Sequence, residues 1–399
     1  MHNVAQNCTH GIGHELERNM FQNRHNCLQY SDSLRRIGME KQADRVRGCG
    51  AFLNYKIFHN DLNSNGYQKL VAGFFCSNVL CPICNKRKAM KRRNQILAIM
   101  EHISEYRFIS ITLTMKNMGA NELENAVDKM LRSAWNYLST TRRFKSAIHG
   151  YARSFEIVYD SNEVVTKNMY FDRKRYYDKI GLKPNDPNPN YGKYHPHLHI
   201  LAAVESSYLE KDSPTYIHHS EWVAMWAKAL KIDYSPIVHV QVIYDEHSKG
   251  KRKNEVTTIK AILESAKYVV KSSSDFLIRD KFGAIDTKKT DEVVYTLSKC
   301  LFNRRLNSMG GIFRKIVKQL DLDSVDDGDL VHIEAEVNSS IDDDYILYSC
   351  TWGRGGYKVM PIQIPYSKDD IVVSDIKNEI YRDFESNMSN CNSRQPDKK

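Results

Sequence analysis

The sequence predicts an α+β protein with a central antiparallel sheet and helices packed against it. Apolar and polar residues alternate with the period of a strand at residues 108–115, 150–159, 196–204 and 237–243. Apolar stripes at helical spacing mark residues 121–139 and 218–231. The links between strands are hairpin-like or long excursions rather than uniform strand–helix–strand units, which favours antiparallel order.

The composition indicates a folded protein with a polyanionic partner. The 399 residues suffice for one large domain with appendages or for two domains. Hydrophobic residues make up 41%, and 58 Lys and Arg residues against 48 acidic ones leave a net charge of +10. This excess favours nucleic acid as the partner. No apolar run reaches about 18 residues, and residues 1–8 lack a signal-peptide core. We therefore expect a cytoplasmic protein with reduced thiols and no membrane contact.

Three cysteines within nine residues, Cys76, Cys81 and Cys84, have the spacing of metal ligands. Thiolates spaced Cys-x-x-Cys fit two corners of a zinc tetrahedron, because a tight turn brings both sulfurs to one point. Cys49, between two glycines, is the best fourth ligand, and His59 is the alternative. Four protein ligands leave no open position, so the zinc is expected to be structural. The competing interpretation is a turn with buried, unreactive thiols.

A second possible cluster and a basic helix flank this segment. Cys8, His10, His14 and Cys27 could bind another metal, but their irregular spacing favours scattered polar side chains. Residues 85–97 form a predicted helix with a basic face that suits contacts to a phosphate backbone or, alternatively, simple solvation. Its candidate DNA-binding residues are Lys86, Arg87, Lys88, Lys91, Arg92 and Arg93.

A histidine strand at residues 193–201 is the first candidate for catalysis. Side chains alternate faces along a strand, so His195, His197 and His199 point one way while Leu198 and Ile200 point into a core. Two imidazoles at i and i+2 can bind one divalent cation together. A polar strand face with solvated histidines is the competing interpretation.

The 35-residue excursion that precedes this strand, residues 160–194, is rich in Tyr, Asn, Lys and Pro. Its prolines and asparagines near the end predict an irregular surface loop. The tyrosines could stack on bases or could merely fill the loop. They are Tyr170, Tyr176, Tyr177, Tyr191 and Tyr194.

A predicted helix over residues 257–272 carries the second candidate for catalysis. Glu264 and Tyr268 are spaced i, i+4 and share a face, which Lys267 and Lys271 flank. A phenol with a pKa of roughly 10 is a poor nucleophile. It attacks a phosphodiester when a metal polarises the phosphate and nearby cations favour the phenolate. A carboxylate one turn away can activate water for a second displacement.

Four motifs in this order resemble the rolling-circle replication initiators of bacterial plasmids. These HUH endonucleases include a Rep family with an N-terminal cysteine cluster. The resemblance covers roughly residues 45–330. Its four motifs are the cysteine segment with the basic helix that follows it, the strand at residues 109–114, the segment His195-Pro-His-Leu-His and the segment Glu264-Ser-Ala-Lys-Tyr. Each motif alone is weak, whereas the four in family order are specific.

The resemblance implies which residues hold a catalytic metal. His197 and His199 would ligate Mg²⁺ or Mn²⁺. Family members usually add a third ligand from a neighbouring strand, often a carboxylate. Glu156 is the best candidate because its strand should pair with the histidine strand. His195 falls on the same face and is the alternative.

The resemblance also implies the roles of the helix residues. Tyr268 would be the nucleophile and Glu264 would help water to hydrolyse the bond at termination. Lys271, or alternatively Lys267, would orient the phosphate. The motif contains one tyrosine, which disfavours the two-tyrosine mechanism of some phage initiators and relaxases.

The expected function is therefore origin-specific nicking and rejoining of one DNA strand, leaving a 5′-phosphotyrosine and a 3′-OH primer. The partners would be plasmid origin DNA, single-stranded at the nick, together with a host helicase and polymerase. The oligomeric state is open, a dimer on DNA being one option. The alternatives are a non-catalytic, zinc-containing repressor and a relaxase or transposase of the same superfamily.

The motifs and the resemblance together predict an HUH-like α+β fold with a zinc-binding segment before it and a β-rich segment after it. The expected divisions are a polar N-terminal extension (1–45), a zinc-binding and basic helical segment (46–105), an HUH nicking domain (106–290), a helical and β-rich C-terminal segment (291–370) and a flexible tail (371–399).

Overall fold

The computed structural model describes residues 14–58, 67–210, 212–244, 255–257, 276–280, 282–322, 345–353 and 356–361. In chain order its helices are α1 (His14–Arg36), α2 (Glu40–Gly48), α3 (Pro82–His102), α4 (Ala120–Asp128), α5 (Trp135–Thr140), α6 (Arg142–Ala147), α7 (Lys167–Asp172), α8 (Lys174–Lys179), α9 (His219–Leu230), α10 (Thr287–Leu301) and α11 (Ile312–Gln319). A π-helical turn, Lys129–Ala134, joins α4 to α5. Within these residues, no helix is both long and apolar enough to cross a membrane.

The strands form two sheets. They are β1 (Phe52–Phe58), β2 (Tyr67–Gly73), β3 (Arg107–Thr114), β4 (Gly150–Tyr159), β5 (Tyr194–Val204), β6 (Val238–Tyr244), β7 (Glu255–Thr257), β8 (Asn307–Gly311), β9 (Tyr345–Gly353) and β10 (Gly356–Pro361). The larger sheet has the order β7-β6-β3-β5-β4-β8, and all its pairs are antiparallel except β6 with β7. The predicted α+β fold, its central antiparallel sheet and its four predicted strands are confirmed.

One face of the large sheet is mainly apolar. Strand alternation places Ile111 of β3 and Ile200 of β5 on this face, and both are fully buried. They belong to one core with Trp222 and Trp226 of α9, which are also fully buried. Fully burying an aliphatic side chain contributes about 1.5–3 kcal/mol, so this face fixes the register of the central strands.

The opposite face is divided between packing and a polar site. Ala203 of β5 and Leu201 pack against Ile99 of α3 and Phe313 of α11. Further along β3 the side chains on this face carry hydroxyl groups, as that of Thr112 does. The polar half of this face contains the histidines.

The smaller sheet joins strands that are distant in sequence. Its order is β10-β9-β1-β2, and β1 pairs with β9 so that Leu53 lies opposite Cys350. The predicted C-terminal β-rich segment therefore completes the sheet that follows α2 and Cys49. The domain boundaries drawn from the sequence stay a prediction.

Candidate metal centres and nucleic-acid interface

Three buried side chains converge on the polar half of the large sheet. β4 and β5 are antiparallel neighbours whose register sets Glu156 opposite His197 and Ser154 opposite His199. The Oε2 atom of Glu156 lies 2.8 Å from Nε2 of His197 and 2.6 Å from Nε2 of His199. The three side chains belong to residues only 2%, 8% and 7% exposed. Their ligand atoms lie within 4.8 Å of one another, which is the spacing of a metal-binding group.

In each imidazole ring, the contact made by Nδ1 holds the ring so that Nε2 faces Glu156. Nδ1 of His197 lies 3.2 Å from the carbonyl oxygen of His195. A carbonyl can only accept a hydrogen bond, so this Nδ1 carries the proton. Nδ1 of His199 lies 3.4 Å from the Thr112 hydroxyl on β3. Such outer hydrogen bonds hold both rings with Nε2 directed inward, as in histidines that bind metals.

The electrostatics of Glu156 fit a cation at this point. Burial raises the pKa of Glu156, but hydrogen bonds and charge from His197 and His199 outweigh it and hold the pKa well below its usual range. The second carboxylate oxygen, Oε1, is buried and has no hydrogen-bond partner among the described residues. Leaving such an atom unsatisfied costs about 1–3 kcal/mol. Two imidazoles and an ionised carboxylate are a donor set that divalent cations accept, so these residues fit a metal.

His195 lies on the same face but outside this group. It pairs with Val158, two positions beyond the Glu156–His197 pair, and its ring centroid is 5.4 Å from that of His197. Burial, and then the charges of His197 and Arg173, lower the pKa of His195 to about 4. The geometry therefore favours Glu156 over His195 as the third ligand.

Four buried cysteines form a second group with metal-ligand spacing: Cys49, Cys76, Cys81 and Cys84. The Sγ–Sγ distances are 3.4 Å between Cys49 and Cys81, 3.5 Å between Cys49 and Cys84, and 3.7 Å between Cys76 and Cys84. A tetrahedral centre with metal–sulfur bonds of about 2.3 Å places its sulfurs about 3.8 Å apart. The four residues chosen from the sequence thus come together, and their spacing fits such a centre.

Local backbone features bring these sulfurs to one point. Cys49 ends α2, while Cys81 and Cys84 lie at the start of α3, where the helix dipole favours thiolates. Gly50 has φ of +69°, and a Cβ atom there would lie 2.5 Å from Cδ1 of Ile83. Glycine is therefore required for the chain to turn beside α3.

A fifth thiol, Cys27 of α1, lies at this centre. Its Sγ is fully buried and 3.5 Å from Sγ of Cys81. Burial raises the pKa of Cys27, whereas hydrogen bonds from the surrounding thiols, Cys27 first, lower that of Cys49. Treating Cys27 as a scattered polar side chain was wrong. No local spacing could reveal it, because 21 residues without a motif separate it from Cys49.

Helix α1 is held against the cysteine segment by polar contacts as well. Nη1 of Arg24 donates to the carbonyl oxygen of Cys49 over 3.0 Å. The Tyr30 hydroxyl donates over 2.7 Å to Oδ1 of Asn78, which also accepts from the backbone N–H of Leu80. The cysteine turn is therefore buttressed by a helix that precedes it by some 50 residues.

The basic residues of α3 divide into exposed and buried ones. Lys86 and Arg93 are exposed, and Lys88 and Lys91 are half-buried. The Arg87 guanidinium stacks 3.4 Å from the centroid of the Phe75 ring. Arg92 is only 8% exposed, and its Nη2 donates to the carbonyl oxygens of Arg153 and Ser308 at 2.9 and 3.3 Å. A DNA-binding role for this helix stays a prediction.

Several predicted residues lie outside the described part of the chain. These are Tyr268, Glu264, Lys267 and Lys271 of the predicted catalytic helix, His59, and Cys8 and His10 near the N-terminus. Their predicted roles stay predictions.

Comparisons with known proteins agree with the motifs. A family profile described as "Replication protein" matches residues 67–358. "Protein rep" of Lentilactobacillus hilgardii is 32% identical over 324 residues, covering 79% of this chain and 88% of the relative. "Protein rep" of Lactiplantibacillus plantarum is 32% identical over 300 residues, covering 74% and 80%. A "Replication protein" of Staphylococcus aureus is 26% identical over 271 residues, covering 68% and 98%.

No solved structure shows significant similarity to the chain. The family profile spans the cysteine segment, the histidine strand and residues 264–268 together. The resemblance to replication initiators drawn from the motifs is thereby confirmed, and the chain belongs to the replication protein family.

Proposed function

We propose that this protein initiates plasmid replication by cutting one strand of the origin and later rejoining it. The observation that carries the proposal is the convergence of Glu156, His197 and His199 in a chain of the replication protein family. Their buried, oriented ligand atoms suit a metal-dependent phosphodiester reaction. Nicking needs a single-stranded target, so the substrate is origin DNA that is melted or extruded at the nick site.

Each residue has a distinct task in this reaction. Glu156, His197 and His199 hold a divalent cation, Mg²⁺ or Mn²⁺. When bound, the cation supplies Lewis-acid polarisation of the scissile phosphate. The Tyr268 hydroxyl oxygen attacks phosphorus, the bond to the 3′ oxygen breaks, and that oxygen leaves with a proton as a 3′-OH.

Two further groups complete the cycle. Glu264 takes a proton from water, or from the returning 3′-OH, and that oxygen attacks the phosphorus of the 5′-phosphotyrosine. The bond from phosphorus to the Tyr268 oxygen breaks and the tyrosine hydroxyl regains a proton, while Lys271 orients the phosphate. The phosphotyrosine conserves the energy of the broken bond, so rejoining needs no nucleotide cofactor. A host polymerase extends the 3′-OH, and a host helicase opens the duplex ahead of that polymerase.

The cysteine group has a structural task in this proposal. Cys49, Cys76, Cys81 and Cys84 bind Zn²⁺, which links α2, α3 and the small sheet. The exposed and half-buried cations of α3, Lys86, Arg87, Lys88, Lys91 and Arg93, contact the origin backbone. Arg92 was placed in the same set, and its contacts to two carbonyl oxygens favour a role in holding α3 to the sheet.

A covalent-adduct assay tests the proposal. The protein is incubated with Mn²⁺ and a single-stranded oligonucleotide from its own plasmid origin, and products are resolved on a denaturing gel. We expect a protein–DNA adduct from the wild type and none from Tyr268→Phe, because phenylalanine lacks the nucleophilic oxygen. Glu264→Ala should keep nicking but accumulate adduct.

Tyr295→Phe is the matched control, because Tyr295 is an exposed tyrosine on α10 outside the proposed site. Its adduct yield should equal that of the wild type. DNA binding without any adduct across a pool of origin oligonucleotides would contradict the enzyme and favour the repressor.

A further inference from the structure

The excursion between β4 and β5 is a folded platform rather than an irregular loop. It contains the short helices α7 and α8, and Tyr177 of α8 is only 1% exposed. Val165 is fully buried, and Nδ2 of Asn188 donates to the carbonyl oxygen of Asn162 over 2.8 Å. The side chains on its surface therefore have defined positions.

This platform adjoins the Glu156–His197–His199 group. The excursion leaves β4 after Tyr159 and returns at Tyr194, and these two residues are paired. The Glu156–His197 pair is three positions along the same two strands, about 10 Å away at roughly 3.3 Å per residue. The platform therefore begins within about 10 Å of the metal group.

The platform also has an exposed cation between its two helices. Arg173 lies between α7 and α8 and is exposed. Its guanidinium is therefore accessible to a phosphate group of a DNA strand bound on the platform.

The outer surface of the platform combines aromatic rings with positive charge. Phe171 is 68% exposed and Tyr176 is 43% exposed. Residues 167–179 contain five basic and two acidic residues. Packing inside the platform explains why Tyr177 is buried. It does not explain why the rings of Phe171 and Tyr176 are exposed. Exposed aromatic rings interleaved with cations are typical of surfaces that bind single-stranded nucleic acid.

We propose that α7 and α8 form a binding surface for single-stranded DNA that guides the strand into the metal group. Phe171 and Tyr176 stack on bases, and Arg173 and Arg175 contact phosphates. The proposal rests on the proposed function, because that function supplies a single strand at this edge of the sheet. The surface discriminates against duplex DNA, whose bases are not free to stack on protein rings.

Fluorescence anisotropy tests this surface without depending on nicking. The full chain is titrated into a labelled 30-nucleotide single strand of mixed sequence, with no added Mg²⁺ or Mn²⁺. Phe171→Ala and Tyr176→Ala should each raise the Kd about tenfold or more, since stacking on a protein ring commonly accounts for factors of roughly 5 to 150 per base. Arg173→Gln should reduce the slope of log K against log salt by about 0.7.

Phe302→Ala is the matched control, because Phe302 is 70% exposed on a different element. It should bind as the wild type does. Unchanged melting temperatures will show that the variants are folded, as expected for exposed side chains. If Phe171→Ala and Tyr176→Ala bind the single strand with wild-type Kd, the proposed binding surface is wrong. An equal loss of affinity for duplex DNA of the same length would contradict it as well.

The outcomes separate this proposal from the nicking reaction. If the aromatic variants lose single-strand binding while the wild type forms no adduct with Mn²⁺, the surface stands and the nicking proposal fails. If the wild type forms an adduct while the aromatic variants bind normally, nicking stands and the surface is overturned.

Discussion

The substitution Glu156→Gln tests whether a carboxylate completes the histidine pair. Glutamine preserves the shape of the side chain and one oxygen, but it removes the negative charge between His197 and His199. The residue is 2% exposed, and its Oε2 lies 2.8 and 2.6 Å from the two Nε2 atoms. Water therefore cannot replace the lost interaction.

The size of the expected effect follows from this burial. Removing one partner of a buried charged group costs about 3–5 kcal/mol, and each 1.4 kcal/mol corresponds to about a factor of ten in Kd. Glu156→Gln should therefore weaken Mn²⁺ binding by about 100-fold or more. The same change should abolish any rise in melting temperature that Mn²⁺ produces in the wild type.

Isothermal titration calorimetry with Mn²⁺ measures the effect. Glu205→Gln is the matched control, because Glu205 also contacts an imidazole, that of His149 at 3.2 Å, but its side chain is 53% exposed. The control should bind Mn²⁺ with wild-type affinity. Far-UV circular dichroism without metal will show whether Glu156→Gln remains folded.

One result would refute the reasoning. If Glu156→Gln is folded and binds Mn²⁺ within threefold of the wild type, Glu156 is not a ligand. A loss of affinity in His195→Ala, with none in Glu156→Gln, would assign the third position to His195 instead.

Three further predictions concern the cysteine centre, α3 and pH. Cys84→Ala should lose bound zinc in elemental analysis and melt at a lower temperature, whereas Cys27→Ala should keep one zinc per chain because four thiols remain. Arg92→Ala should lower the free energy of unfolding in urea by about 1–3 kcal/mol, because it leaves buried carbonyl oxygens unpaired, while Lys88→Ala should change it by less than about 0.5 kcal/mol. The depressed pKa of Glu156 adds stability that is present above its unfolded pKa of about 4.3 and lost as pH falls through the folded value. The metal-free stability difference between wild type and Glu156→Gln should therefore narrow below about pH 4, and a constant difference would contradict the assignment.

The features that could be predicted from the sequence are local. Period-two alternation defined the four central strands, and the same alternation put His197 and His199 on one face of β5. The spacing of Cys76, Cys81 and Cys84 needed only a turn to become a ligand set. Each of these patterns is contained within about ten residues, where covalent geometry alone determines which side chains point the same way.

The tertiary structure decided which distant residues join these local groups. The pairing of β4 with β5 brought Glu156 to the histidines, a partner that the sequence supplied only as a candidate. The docking of α1 brought Cys27 to the thiols, and the packing of α3 on the sheet turned Arg92 inward.

The small sheet shows the same dependence on long-range packing. Its four strands come from residues 52–73 and 345–361, which are far apart in the chain. Strand neighbours and helix docking are selected by burial of apolar surface and by satisfaction of backbone hydrogen bonds over the whole fold. Both kinds of contact join residues that are hundreds of positions apart, so no local sequence pattern predicts them.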